Sequence, residues 1–173
     1  EARDWFNQLS ITYTQEEAGF KCEVIEEILT VPMSHKVKWA VDTLRNKKIL
    51  TTKDGHTVLA DTAVKEMLKV HQACSGTLKA EPVDGKDGYT IAFDETKASF
   101  IKERFAGKKI AVFYKYTAEL TLLKKHFAGR IVEDPIAFNK SDSDAVFVSQ
   151  VQSGREGLNL STADALIFYN IDF

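Results

Sequence analysis

Two hydrophobic patterns divide the chain. Up to about residue 93, apolar positions fall at helical spacing or in short alternating runs between turn signals. From Asp94 onward, continuous apolar runs alternate with helical stretches. In the first part, Val24-Ile25-Glu26-Glu27-Ile28-Leu29-Thr30-Val31 reads as a strand that stops at Pro32, since the residue before a proline favours extended backbone. Ser34 then caps a helix with Val37, Val41 and Leu44 at near-helical spacing and Trp39 and Ala40 beside them, Trp39 being assigned to the core. Thr51-Thr52-Lys53-Asp54-Gly55 is a turn. A second helix begins near Thr57 or Asp61, runs through Ala63, Val64, Met67, Leu68 and Val70 to about Ala73, and meets its stop at Gly76. Thr77-Leu78-Lys79 and Tyr89-Thr90-Ile91-Ala92-Phe93 flank a Gly/Asp-rich loop and predict a hairpin.

The second part predicts a different architecture. Asp94 or Thr96 caps a helix through Phe105, which Gly107 ends. Ile110–Tyr114 is an apolar strand. Thr117 caps a helix with Leu120, Leu123 and Phe127 inside, ended by Gly129. Arg130–Val132, Ala145–Val148 and Ala165–Tyr169 are further strands, with at most a helical turn over Leu158–Thr162. Strands apolar throughout and alternating with helices are covered on both faces, which predicts an α/β layer fold with a mainly parallel sheet. The expected organisation is an N-terminal segment with a strand (residues 1–34), a helical insert and β-hairpin (35–93), and an α/β core (94–173). Ligands of such sheets sit beyond the carboxyl ends of the strands, so the loops after Tyr114, Val148 and Tyr169 are the places to look.

Composition narrows the partners. The 173 residues are 44% hydrophobic and 28% charged, enough for a buried core. The formal charge of −2 excludes a strongly basic nucleic-acid-coating protein but leaves room for a local basic patch. Two cysteines, Cys22 and Cys74, are too few for a disulfide framework or a four-cysteine zinc site, and they read as reduced thiols of a cytosolic protein. No apolar run approaches the ~20 residues that span a bilayer, so no membrane partner is expected. The start at Glu1 and the apolar run that ends at Phe173 suggest a piece of a longer polypeptide.

The richest chemistry follows the strand at Val146–Val148. Ser149-Gln150-Val151-Gln152-Ser153-Gly154-Arg155-Glu156-Gly157-Leu158-Asn159-Leu160-Ser161-Thr162-Ala163-Asp164 holds two glycines three apart, amides, hydroxyls and an arginine. Glycines let backbone N–H groups approach an oxyanion, and a guanidinium grips phosphate with two hydrogen bonds. A tight turn with no ligand has the same spacing.

The stretch from Ser153 to Phe173 closely resembles motif V of superfamily 2 helicases of the Swi/Snf-like branch, phage-type enzymes in particular. There a Gly-Gly-x-Gly-x-Asn-Leu-x-x-Ala-Asp run precedes a hydrophobic strand ending in Tyr-x-x-Asp-(Trp/Phe). Gly154, Gly157, Asn159, Leu160, Ala163, Asp164, Tyr169 and Asp172 match it. Lys109-Ile110-Ala111-Val112-Phe113-Tyr114-Lys115-Tyr116-Thr117-Ala118-Glu119-Leu120 resembles motif IV, and Met67–Gly76 sits where the family has a helix with a cysteine near its end. The resemblance is firm from about Asp94. It implies a three-layer RecA-like fold and the role of second motor domain in an ATP-driven nucleic-acid helicase or translocase, working in the cytoplasm of a bacterial or phage-infected cell. It implies contact with a DNA or RNA backbone through Gln150, Gln152, Ser153, Gly154, Arg155, Lys115 and Tyr116, although the family often has a hydroxyl residue where this chain has Gln150. It implies coupling to the nucleotide cleft through Gly157, Asn159 and Asp164. The partner across the cleft is a first RecA-like domain. ATP and magnesium belong to that fuller protein, because the chain carries no Gly-x-x-x-x-Gly-Lys-(Ser/Thr) loop and stops before motif VI. No catalytic residue, cofactor or ATP hydrolysis is expected of these residues alone.

Other groups read as structural. His71 and Cys74 lack a second ligand pair and suit a packed helix end. Asp142 and Asp144 lack the glycine and distal glutamate of a calcium loop. Glu16-Glu17 and Glu26-Glu27 are surface charge runs. Trp5, Phe6 and Trp39 could stack on bases, the core being the favoured place for Trp39, and Lys47, Lys48, Lys53, Lys65 and Lys69 could form a basic side of the insert, with a solvated helix face as the competing reading. Two rivals to the motor reading are a nucleic-acid or protein binding module with no ATP cycle, and a small enzyme taking a phosphorylated substrate at the glycine pair.

Overall fold

The computed structural model describes residues 25–82, 88–142, 144–153 and 157–171. The chain divides into one unit up to Thr30 and another from Val31, and the elements below all lie in the second. Residues 25–34 form neither helix nor strand, contrary to the strand expected up to Val31. Extended backbone becomes a strand only by pairing; Pro32 offers no amide, and Ile25 and Ile28 stand exposed.

The insert has its own core. Ser34 caps helix α1 (His35–Lys47), its hydroxyl accepting from the Val37 amide at 3.2 Å. The apolar stripe of α1 is Val37, Ala40, Val41 and Leu44, all buried. Two short strands, β1 (Ile49–Thr51) and β2 (Thr57–Leu59), then pair antiparallel. The sequence suggests the intervening turn and a helix start near Thr57 or Asp61; Thr57 instead opens β2, which goes unread because three-residue strands leave too little alternation. Helix α2 (Ala63–Cys74) is capped by Thr62, and strands β3 (Thr77–Lys79) and β4 (Thr90–Ala92) form the expected hairpin. Leu44, Leu50, Val58, Ala73 and Leu78 meet in the middle.

The second half is the predicted α/β layer structure. Helix α3 (Thr96–Arg104) leads to β5 (Ile110–Tyr114), α4 (Thr117–His126), β6 (Ile131–Val132), α5 (Pro135–Lys140), β7 (Val146–Gln150) and β8 (Ala165–Phe168). The sheet is parallel in the order β6-β7-β5-β8. Alternation along the strands feeds two cores. Ile110, Val112, Val146 and Val148 face Ala98, Ile101, Leu122 and Leu123 on one side; Ala111, Phe113 and Phe147 face Phe138 on the other. This is a three-layer arrangement, with α3 and α4 on one face and α5 on the other. Helix α5 escaped the sequence reading, yet Asp134-Pro135 announces it. The Asp134 carboxylate accepts from the Ala137 amide at 2.6 Å, and proline occupies the first helical position. Among the described residues no helix is long and apolar enough to cross a membrane.

The halves are joined at Gly76 and Asp94. The Gly76 carbonyl accepts from the amides of Phe93 (2.9 Å) and Asp94 (3.2 Å). Asp94 accepts from the Ser34 hydroxyl at 2.5 Å and from the Thr96 amide at 3.0 Å. Gly76 has φ +80°, and a Cβ there would come within 2.2 Å of the Asp94 carbonyl oxygen. Gly107 also has positive φ (+70°), but with open space around it. Gly107→Ala is therefore expected to cost about 1 kcal/mol of backbone strain, and Gly76→Ala at least about 3 kcal/mol, because contact is added to strain. Urea unfolding of both variants checks the order.

Candidate functional site at the carboxyl edge of the sheet

In-register parallel strands end together. Tyr114 stands opposite Gln150, and Phe113 opposite Phe168. Three segments leaving the sheet therefore meet at one edge: Lys115-Tyr116 after β5, residues 151–153 after β7, and Tyr169-Asn170-Ile171 after β8. They are sewn together. The Val151 amide donates to the Tyr114 carbonyl (2.8 Å), the Gln150 side-chain amide donates to the Lys115 carbonyl (3.1 Å), and the Tyr169 amide donates to the Phe113 carbonyl (2.9 Å).

The node of this edge is Glu119, in the first turn of α4 and fully buried. One carboxylate oxygen accepts from the amides of Lys115 (2.9 Å) and Tyr116 (3.1 Å). The other accepts from the Asn170 side-chain amide. The expected Thr117 cap is thus replaced. Tyr116 occupies the cap position, and Glu119 reaches back to its amide as the third residue of a capping box does. Lys97, from the first turn of α3, donates to the Asn170 side-chain oxygen (2.9 Å) and the Tyr169 carbonyl (3.2 Å), and lies 5.6 Å from the Tyr169 ring centre. Burial lowers the Lys97 ammonium from its ordinary value, and the attraction of Glu119 partly offsets this. Burial likewise raises the Tyr169 phenol, whose hydroxyl finds no hydrogen-bond partner among the described residues.

The insert reaches the same edge through His71. Its Nδ1 lies 2.8 Å from the Tyr116 hydroxyl and its Nε2 3.0 Å from the Ile171 carbonyl. A carbonyl only accepts, so Nε2 carries the proton and Nδ1 accepts from the phenol. The ring thus bridges the loops after β5 and β8, a role the pairing of His71 with Cys74 did not suggest. Among the described residues no cluster of three metal-ligating side chains occurs.

The structure brings Lys115, Tyr116, Gln150, Gln152 and Ser153 together at this edge, with Gln152 and Ser153 exposed. Gly154 and Arg155 lie outside the described residues. Gly157 is exposed with φ +61°. Asn159 and Asp164 are held elsewhere. The Asp164 amide donates to the Lys109 carbonyl (2.7 Å), and the Asp164 carboxylate accepts from the Lys109 amide (2.8 Å), at the amino ends of β5 and β8. Asn159 accepts from the Ser161 amide through its side chain (3.1 Å) and from the Asn139 side chain through its carbonyl (2.8 Å). The loop therefore starts at the carboxyl edge and returns to the amino end, with Leu158, Leu160 and Ala163 packed on the α5 face of the sheet. Glu119, Asn170, Lys97 and His71 were missing from the sequence-derived site. Only Glu119 carried a local signal, three residues after the helix boundary at Tyr116.

Two predictions follow from the edge. Glu119→Ala leaves two backbone amides and one side-chain amide without their acceptor in a buried setting and is expected to cost about 3 kcal/mol or more, with Glu119→Gln milder because one acceptor survives. Chemical denaturation at neutral pH checks the ranking. Acid sensitivity follows from Asp94. Burial raises its carboxyl, but hydrogen bonds from Ser34 and Thr96 outweigh burial and hold it below its ordinary value. A carboxyl lowered by folding stabilises fully above about pH 4, and that contribution is lost as pH falls through the lowered native value. Asp94→Asn should flatten this part of the acid limb in stability measured from pH 5 to pH 2.

No family model matches the chain, and no curated protein gives a significant match, so its own residues carry the functional reading.

Proposed function

We propose that the chain is the second motor domain of an ATP-dependent nucleic-acid helicase or translocase of superfamily 2, Swi/Snf-like branch. The observation that carries the reading is the convergence of Lys115, Tyr116, Gln152 and Ser153 at the carboxyl edge of a parallel sheet, in a chain whose residues 109–120 and 153–173 resemble motifs IV and V. A lysine, an amide and a hydroxyl suit phosphate oxygens of a strand backbone, which position a polymer without reading its sequence, while Tyr116 gives its hydroxyl hydrogen to His71 and frames the edge. Topology supports the same edge, because the connection from β7 to β8 crosses β5 to reach the far side of the sheet, the kind of switch point where α/β folds take ligands.

In this reading Gly157, Asn159 and Asp164 relay the state of the nucleotide cleft. The anchorage of Asp164 to Lys109 and of Asn159 to Asn139 makes that relay act through the start of β5 rather than through direct contact at the carboxyl edge. ATP and magnesium are held by a first RecA-like domain, and the residues of this chain provide no Walker A loop for them. Here the chain binds and orients a strand, and no chemical step is assigned to it. The compartment in this reading is the cytoplasm of a bacterial or phage-infected cell.

The 173-residue chain should bind a short DNA oligonucleotide weakly, with affinity that falls as salt rises and does not change on adding ATP. Lys115→Ala should weaken binding of all sequences about equally and reduce the log–log salt slope by about 1. Fluorescence anisotropy over a salt series reads both. Binding that ignores salt, or strong thermal stabilisation by one sugar phosphate, would replace the motor reading with a small-molecule site.

A further inference from the structure

The sequence places Trp39 in the core, and the structure overturns that placement. Trp39 is 59% exposed, two positions from Val37 and so on the side of α1 opposite the buried stripe. Its helical neighbours are His35 and Lys36 one turn before and Asp42 one turn after, with Lys38 at its flank. Over its whole length α1 carries Lys36, Lys38, Arg45 and Lys47 against a single acid, Asp42. None of these four cations closes an ion pair with a described residue. An indole left in water on a helix where cations outnumber acids, with Asp42 beside it and Asp94 acting on Lys36, is unfavourable for a face that touches only solvent. It suits a polyanion whose units carry flat rings.

We infer that the outer face of α1 is a second nucleic-acid contact, in which Trp39 stacks on an unpaired base and Lys36 and Lys38 hold the flanking phosphates. The charge favours a nucleic acid over a neutral apolar partner, and the indole favours a single strand, since a duplex keeps its base faces covered. The face is also tied to the carboxyl edge. Ser34, the cap of α1, donates to Asp94; Asp94 accepts from the Thr96 amide; and the next residue, Lys97, donates to Asn170. The inference goes beyond the motor reading and depends on it only for the choice of polymer.

The chain has two tryptophans, so a Trp5→Phe background leaves Trp39 as the sole indole reporter. Titration with a twelve-residue oligothymidylate should quench its emission. Trp39→Ala should weaken single-strand binding about 5- to 20-fold, and Trp39→Phe much less. Affinity for a duplex of the same length should be nearly unchanged in both. Lys36→Glu with Lys38→Glu should lower the salt slope by about 2. Because Trp39 is exposed, circular dichroism of the alanine variant should match the parent. Unquenched emission, with Lys115→Ala still weakening binding, overturns this inference and leaves the motor reading standing. No binding of either DNA form overturns both. Self-association abolished by Trp39→Ala, with no effect of oligothymidylate on emission, assigns the face to a protein contact and also overturns the inference.

Discussion

A buried carboxylate holds the edge of the sheet together. Glu119 accepts from the amides of Lys115 and Tyr116 and from the Asn170 side chain, and Asn170 in turn accepts from Lys97. Charge without partners is strongly disfavoured in such a place, so each member fixes the next. The chain after β5 cannot drift from the chain after β8 without taking a donor away from the buried Glu119 carboxylate. The same network brings in α3 through Lys97, and His71 adds the insert from the other side. Four separate stretches of sequence thereby present one surface with little freedom among them. Such preorganisation would favour the proposed backbone contact, because ordering loose side chains at the moment of binding opposes affinity.

The loop from Val151 to Asp164 is pinned differently. At one end Val151 is bonded to Tyr114; at the other, Asp164 exchanges two hydrogen bonds with the Lys109 backbone. Between them Leu158, Leu160 and Ala163 are seated on the sheet while Gln152, Ser153 and Gly157 face solvent. A segment tied at both ends of the same strand transmits displacement along β5, from its amino start to its carboxyl end. The strand itself is rigid, buried on both faces from Ile110 to Phe113.

Long, strongly patterned elements were legible in the sequence. The apolar runs at Ile110–Tyr114 and Ala145–Val148 mark parallel strands, and only a sheet covered on both faces accommodates such runs. Ser34 and Gly76 punctuate the insert as their chemistry dictates. The failures have definite causes. The β1–β2 pairing is too short to show alternation, and residues 25–31 carry strand-forming side chains but pair with no strand among the described residues. Trp39 sits beside an apolar stripe in sequence but 200° around the helix from Val37, so counting hydrophobic residues without their phase misassigns it. The site was half legible. Residues on the loops stand next to a motif, whereas His71 meets Tyr116, Asn170 meets Glu119 and Lys97 meets Asn170 only through the fold, across sequence separations of 45 residues or more.

The tight joint at Gly76 and Asp94 determines how the insert relates to the core. A glycine with no room for a Cβ, two amides converging on its carbonyl, and a carboxylate shared by Ser34 and Thr96 leave the joint few alternative geometries. His71 provides a second tether, well away in sequence, from the far end of α2 to Tyr116 and Ile171. Two tethers suppress the hinge that a single one would permit. With β3 and β4 also packed against α4, the insert and the sheet edge are held in one arrangement, and in the proposed motor reading a load on α1 would reach the loops after β5 and β8. A helical insertion that served only to fill space would need no such second tether; one that shares a load with the sheet edge would.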